Sequence, residues 1–125
     1  MRRLASLLLL ALLPACGGRN HPGEVQGPNK LSEIAVVVEN QHTGTISLYL
    51  ESNGRSVRIG EVHFSETRSF VMPWRSLSEN GVVSLRGEVV GSDQSVGTGP
   101  FTLTPGNMVR WTLTPRLEMS YYAVY

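Results

Sequence analysis

The sequence predicts an all-β fold, a single antiparallel β-sandwich of about seven strands over residues 31–125. Apolar and polar residues alternate with a period of two along this region, and no stretch has the apolar stripe of an amphipathic helix. Glycine, asparagine and proline residues separate the alternating stretches at intervals of about 8–12 residues, which is the strand spacing typical of a sandwich.

The four longest alternating stretches each place one set of side chains on a buried face and the other set in water. They cover residues 34–39, 46–51, 83–89 and 109–114. Shorter strands are predicted over residues 57–64, 69–73 and 98–104, and a last edge strand over residues 121–125. We expect the apolar members of the long stretches to form the core, namely Ile34, Val36, Ile46, Leu48, Leu85, Val109, Trp111 and Leu113.

Three local motifs predict particular backbone features between and within these strands. Asn53-Gly54 predicts a two-residue hairpin of type I′, because that turn needs positive φ at both central residues. Pro105-Gly106 has proline and glycine where a type II turn requires them. Gly60 interrupts its strand and shifts the apolar phase, which predicts a β-bulge.

Residues 1–15 have the pattern of a secretory signal peptide. Arg2 and Arg3 give a basic start, and residues 4–13 form an apolar run of ten residues. A membrane-spanning helix needs about 20 apolar residues. The segment is therefore predicted to be a cleaved export signal.

The end of this signal carries the most specific motif of the chain. Leu13, Ala15 and Cys16 resemble the lipobox, the Leu-x-(Ala/Gly)-Cys signature of bacterial lipoprotein precursors, and Pro14 departs from the small or hydroxylated residue usual at its position. The resemblance implies that the thiol of Cys16 receives a diacylglycerol and that its new amino group receives a further acyl chain such as palmitate. The alternative is cleavage after Ala15 by the general signal peptidase, which favours a small residue where Leu13 stands.

Lipidation at Cys16 also predicts where the protein resides. Two or more acyl chains hold a protein firmly on a membrane without a spanning segment. Gly17 after the cysteine resembles the outer-membrane sorting class, which implies a location in the bacterial cell envelope, anchored to the outer membrane and facing the periplasm. Residues 16–30 are rich in glycine and proline and are predicted to be a flexible tether with a reach of about 20 Å.

The charge balance excludes some classes of partner. The chain has eleven basic and ten acidic residues and a formal net charge of +1. Loss of Arg2 and Arg3 with the signal leaves nine basic residues against ten acidic ones, a net charge of −1. This lacks the basic footprint of a nucleic-acid-binding protein. Because Cys16 is the one cysteine, its acylation leaves none for a disulfide, and the fold must rest on its apolar core.

The titratable residues do not form a recognisable catalytic or metal motif. His21, His42 and His63 lack the short spacings of metal ligands, and Asp93 is the one aspartate. His63 and Asp93 could build an acid–base site with a serine only if the fold brought them together. No Gly-x-Ser-x-Gly elbow is present. We therefore predict a protein without enzymatic activity, cofactor or metal.

The end of the chain is rich in tyrosine. Tyr121, Tyr122 and Tyr125 lie within five residues of one another. One interpretation is an edge strand whose alternate residues cap the sandwich. The other is an aromatic strand that contacts a partner, because exposed tyrosines favour interfaces. These three tyrosines are the candidate partner contacts.

The body resembles immunoglobulin-like and transthyretin-like domains in strand pattern alone. Our first hypothesis is a non-enzymatic cell-envelope lipoprotein that presents its sandwich to a protein partner or serves envelope structure. A second is a module that binds carbohydrate or another envelope polymer by stacking on Tyr49, Trp74 or Tyr122. A third is an accessory lipoprotein of a secretion system, since the chain resembles the outer-membrane lipoproteins of type VI secretion in size, anchor and strand content.

We predict that Cys16→Ala abolishes membrane attachment, because it removes the thiol that would carry the lipid. Fractionation of cells and mass spectrometry of the mature amino terminus measure this. A wild-type chain that is soluble and carries no fatty acid would contradict lipidation. Recovery of the wild type mainly with inner membranes would contradict the outer-membrane location.

Overall fold

The computed structural model describes residues 33–74 and 80–125, which form two β-sheets. The predicted signal peptide, Cys16 and the tether lie outside these residues. The described part contains nine strands: β1 (Glu33–Asn40), β2 (Ile46–Ser52), β3 (Arg55–Val62), β4 (Thr67–Pro73), β5 (Val82–Val89), β6 (Ser95–Gly97), β7 (Phe101–Thr102), β8 (Met108–Leu113) and β9 (Tyr121–Val124). A short 3-10 turn, Leu117–Met119, precedes β9. No helix in the described residues is long and apolar enough to cross a membrane.

The two sheets share the strands almost equally. The first sheet has the order β4-β1-β8-β9, and the second has the order β3-β2-β5, with β6 and β7 paired in succession along the free side of β5. Every neighbouring pair is antiparallel except β1 and β8, which are parallel. The predicted all-β sandwich is therefore confirmed, with about nine strands instead of about seven and with one parallel pair.

The two differences have separate causes. Of the predicted strand over residues 98–104 only β7 (Phe101–Thr102) forms, because Gly99 adopts a φ of 72° and Pro100 follows it, and β6 (Ser95–Gly97) is an additional strand before this interruption. A proline has no N–H to give to a ladder, so pairing with β5 stops there and resumes afterwards. The parallel pair joins strands far apart in sequence, and no hairpin turn constrains their relative direction.

The inward residues of both sheets form one core. All eight residues predicted to be buried are at most 1% exposed. Further apolar side chains complete the same cluster: Val38, Leu50, Val62, Val83, Val89, Leu103 and Leu117. The largest of the core side chains is Trp111 on β8. It lies opposite Gly87 on β5, where an added methyl group would lie 3.5 Å from the Trp111 Cη2 atom and 2.9 Å from the Ile46 Cγ2 atom.

The predicted turns are present. Asn53 and Gly54 have φ values of 52° and 75°, the positive signs that a type I′ turn requires between β2 and β3. Gly106 has a φ of 88°, and the amide of Asn107 donates to the carbonyl of Thr104 at 3.1 Å. These values fit the type II turn predicted before β8.

The bulge predicted at Gly60 is also present and closes one side of the sandwich. The register of β2 and β3 shifts next to Gly60, so that Ile59 has no partner of its own on β2. Phe70 of β4 covers Gly60, where a methyl group would lie 2.5 Å from the ring. Arg68 of β4 donates to the carbonyl of Glu61 on β3 at 2.7 Å. Side chains therefore join the first sheet to the second along β3 and β4.

Asn40 organises the end of the sandwich at which β1 finishes. Its side chain is fully buried and donates to the carbonyls of Gly44 and Val62 at 2.9 and 3.0 Å, and it accepts the amide of His42 at 2.9 Å. One amide group thus holds the turn after β1 against the end of β3. A buried side chain with all its bonds satisfied stabilises such a junction.

We predict that Trp111→Ala lowers the free energy of unfolding by about 3–5 kcal/mol, because it leaves a large cavity between the sheets. Arg110→Ala is the matched control on the adjacent, outward-facing position and should change it by about 0.5 kcal/mol or less. Urea denaturation monitored by circular dichroism measures both. Equal effects of the two substitutions would contradict the assignment of Trp111 to the core.

Candidate functional site

The two sheets end in four free edges, formed by β4, β9, β3 and the β6–β7 pair. A free edge exposes backbone N–H and C=O groups that can pair with another strand. Proteins commonly block such edges with charges, proline, bulges or very short strands. The four edges of the described sandwich differ in how they are blocked.

Three of the four edges carry such devices. The β3 edge has the bulge at Gly60 and the ion pair of Arg58 with Glu61, whose atoms are 2.6 Å apart. The β4 edge carries Arg68 and ends at Pro73. The remaining edge consists of β6 and β7, which are three and two residues long and are interrupted between them.

The β9 edge has neither charge, proline, glycine nor bulge along its four residues. The backbone bonds next to the end of β9 show which of its residues pair with β8. Met108 and Tyr125 donate their amides to each other's carbonyls, at 2.9 and 2.8 Å. In an antiparallel ladder such pairs alternate with non-bonded ones. Tyr121 and Ala123 therefore direct their backbone groups at β8, and Tyr122 and Val124 direct theirs away from the sheet.

The side chains of Tyr122 and Val124 face the same way as the core. They are in register with Trp111 and Val109, both of which are buried. Nevertheless Tyr122 is 36% exposed and Val124 is 40% exposed. The ring of Tyr122 contacts Phe101 of β7 across the sandwich, with ring centroids 4.8 Å apart. The core is thus incomplete on this side, in contrast to the side closed by β3 and β4.

The outer face of β9 carries the other two tyrosines. Tyr121 and Tyr125 are 62% and 66% exposed, and Ala123 lies between them on the same face. Successive residues on one face of a strand are about 7 Å apart, twice the rise per residue. The small side chain of Ala123 therefore leaves a gap between two aromatic rings.

The structure thus brings the three candidate tyrosines onto one strand edge, as the sequence predicted, but distributes them over both of its faces. Sequence analysis did not name Val124 or Phe101 as part of this site. The alternation of residues 121–125 would have placed Val124 on the face of Tyr122. Nothing local in the sequence indicates that Phe101 contacts Tyr122, because the two lie in different sheets.

The aromatic residues considered for polymer binding do not share a surface. Tyr49 lies on the outer face of the second sheet under the guanidinium of Arg86, 4.5 Å from its ring centroid. Trp74 packs on the core beside Gly81, at the other end of the fold from Asn40. Tyr122 contacts Phe101. Tyr49, Trp74 and Tyr122 therefore do not form one row of rings.

Arg86 organises the outer face of the second sheet. It forms ion pairs with Glu51, at 2.6 Å, and with Glu88. The hydrogen bond that Arg86 donates to Glu51 is the largest of the effects that raise the pKa of Arg86 above its ordinary value, and Glu88 adds to it. An open cavity of about 410 Å³ lies beside this cluster and is lined by Glu51, Arg55, Ser56, Ser84 and the Asn53-Gly54 turn, among others. This charged face differs sharply from the uncharged β9 edge.

The histidine and aspartate considered for catalysis are not joined. His63 Nδ1 lies 3.1 Å from the hydroxyl of Thr45, and the backbone amide of His63 donates to Glu66. Asp93 lies in the exposed turn after β5, and no hydrogen bond or ion pair links it to His63 in the described part of the chain. Residues 33–74 and 80–125 also contain no group of three or more histidine, cysteine, aspartate or glutamate residues that could hold a metal ion.

Comparison with known proteins gives no family for this chain. No protein-family model matches it, and no curated protein matches it in sequence.

We predict that His63→Ala and Asp93→Asn each change the free energy of unfolding by about 0.5 kcal/mol or less, because both side chains are exposed. Neither should alter an envelope phenotype. Thermal melts and growth under envelope stress measure the two effects. If His63→Ala removed a saturable turnover of any substrate while the melting temperature stayed constant, the protein would be an enzyme.

Proposed function

We propose that this protein is a non-enzymatic lipoprotein of the bacterial cell envelope that binds a protein partner through the β9 edge of its sandwich. The proposal rests on one observation, the difference between β9 and the other three sheet edges in how they are blocked. Among the described strands, β9 alone combines free backbone groups with an uncharged, aromatic surface and with an open core behind it.

The proposed anchor rests on the sequence. The lipobox-like residues around Cys16 place the acylated amino terminus before the tether, and the sandwich begins at Glu33. Glu33 and Tyr125 lie at the same end of the first sheet, since Glu33 accepts a bond from Gly106 and Asn107 donates to the carbonyl of Tyr125. On this proposal β9 runs toward the membrane-proximal end of the domain and remains accessible along its length.

We further propose that the sandwich is transthyretin-like and not immunoglobulin-like. In the immunoglobulin fold the first two strands belong to the same sheet. Here β1 lies in the first sheet and β2 in the second. Because the first two strands lie in different sheets, we adopt the transthyretin-like arrangement of the two. Fold alone does not carry function.

Of the two alternative functions, that of a secretion-system accessory lipoprotein is compatible with this geometry. An accessory lipoprotein of a secretion system would use the same anchor, sandwich and protein-binding edge, so it is a specific case of the proposal. A carbohydrate-binding module would be favoured by aromatic rings in one plane. Tyr49, Trp74 and Tyr122 occupy different surfaces, and each contacts a neighbouring group.

We predict that deleting residues 121–125 abolishes recovery of the partner after crosslinking in intact envelopes, because the deletion removes the whole β9 edge. The double variant Tyr121→Ser/Tyr125→Ser should weaken recovery without disturbing the pairing with β8, since both side chains lie on the outer face. Phe64→Ser is the control, because Phe64 is similarly exposed but lies in the turn after β3.

Circular dichroism and melting temperature would establish that each variant is folded. Undiminished recovery with a folded deletion variant would move the interface away from β9. Loss of recovery with Phe64→Ser alone would move it to the end of the sandwich near Asn40.

A further inference from the structure

We propose that the β9 edge binds its partner by strand addition: an extended, uncharged segment of another envelope protein pairs with β9 as a fifth strand of the first sheet. This inference rests on the proposed function and specifies the partner's chemistry at the same site. Strand addition is a recognised binding mode in which the backbone supplies the bonds and alternate side chains supply specificity.

The backbone of β9 offers two residues for such pairing. Tyr122 and Val124 each direct one N–H and one C=O away from β8, as the bonds between Met108 and Tyr125 require. An added strand would therefore exchange four hydrogen bonds with β9. Beyond this stretch pairing stops, because the amide of Ser120 is already bonded to the carbonyl of Leu117.

The inner face selects apolar residues in the added strand. Tyr122 and Val124 face the core but remain 36% and 40% exposed, and Phe101 lies across from Tyr122. These three side chains form an apolar rim at the open side of the core. Side chains on the inward face of an added strand would cover this rim. Two apolar residues, placed opposite Tyr122 and Val124, would complete the core where the sandwich is open.

The outer face of β9 determines which residue of the added strand fits between its two inward apolar residues. It would lie opposite Ala123, whose single methyl group leaves a gap between the rings of Tyr121 and Tyr125. A bulky side chain fills this gap better than a small one. The recognised pattern is thus apolar, bulky, apolar.

Charge complementarity excludes acidic and basic segments. The residues of β9 carry no charge, and the ion pair of Arg110 with Glu39, 3.6 Å apart, neutralises the nearest charge on the outer face of β8. A charged residue in the added strand would lose its hydration against the rim without gaining a partner. Burial of an unpaired charge is unfavourable.

The test uses the full chain in mild detergent and a synthetic probe, the capped heptapeptide Thr-Thr-Val-Phe-Val-Thr-Thr. The control peptide replaces both valines by glutamate. Hydrogen exchange of individual amides, measured by NMR with increasing peptide, reports the site. We expect the first peptide to slow exchange at Tyr122 and Val124, and the glutamate peptide to have no effect.

Two variants separate backbone pairing from side-chain contact. Val124→Pro removes an N–H that makes no bond within the sheet, so it should leave the melting temperature nearly unchanged but weaken peptide binding by about tenfold or more. Val124→Thr keeps the N–H and the branched shape and should bind within about threefold of the wild type. Equal binding by Val124→Pro and the wild type, or protection at amides outside β9, would overturn strand addition.

Exchange at Tyr122 and Val124 that slows with protein concentration and without peptide would also overturn the inference, because the occupant would then be a second copy of the chain. The envelope crosslinking assay separates this inference from the proposed function. If deletion of residues 121–125 abolishes partner recovery but Val124→Pro does not, strand addition fails and the interface stands. If the deletion itself has no effect, the proposed interface fails.

Discussion

The packing of Trp111 against Gly87 sets the geometry on which the rest of the sandwich depends. Facing sheets lie about 10 Å apart, so a tryptophan in one sheet needs a small residue opposite it in the other. Gly87 supplies that space: a methyl group there would lie 2.9 Å from Ile46 and 3.5 Å from the tryptophan ring. At 3.5 Å such a methyl group would be in ordinary contact with the ring, whereas at 2.9 Å it would displace Ile46, so Gly87 makes room for Ile46 while Trp111 of β8 packs over β5.

The consequence for β9 is that it lies just beyond the limit of the core. Trp111 is 1% exposed, whereas its neighbour in register, Tyr122, is 36% exposed. Backbone bonds to β8 and the contact of Tyr122 with Phe101 hold β9 in place. On the opposite side, Phe70 over Gly60 and Arg68 on the Glu61 carbonyl close the sandwich. The open side of the core and the unblocked edge therefore both occur at β9, whereas the side of β3 and β4 is closed.

The sequence was informative wherever a local rule decides the structure. Alternation identified the buried faces, and the Asn53-Gly54, Pro105-Gly106 and Gly60 features were found where positive φ or a phase shift required them. The parallel pairing of β1 with β8 was not predicted, because alternation shows which face is buried but not which strand is the neighbour. Strand β6 was not predicted, because its three residues are too few to show an alternating pattern before the turn-like residues Gly99 and Pro100. For the candidate site, the tyrosines could be named in advance, whereas the blocking of the other three edges and the contact with Phe101 depend on the assembled sheets.

An unblocked edge is a hazard for a protein, because it can pair with other chains and aggregate. The length of β9 limits this hazard, since its four residues expose the outward backbone groups of only two. Four backbone bonds alone give little net stabilisation, as each replaces a bond to water. A stable complex therefore needs the apolar rim behind the edge as well as the backbone, and the rim accepts only a strand with the right side chains. On the proposed strand addition, specificity at β9 arises because the backbone edge is too short to bind every strand and the apolar side chains behind it supply the rest of the stabilisation.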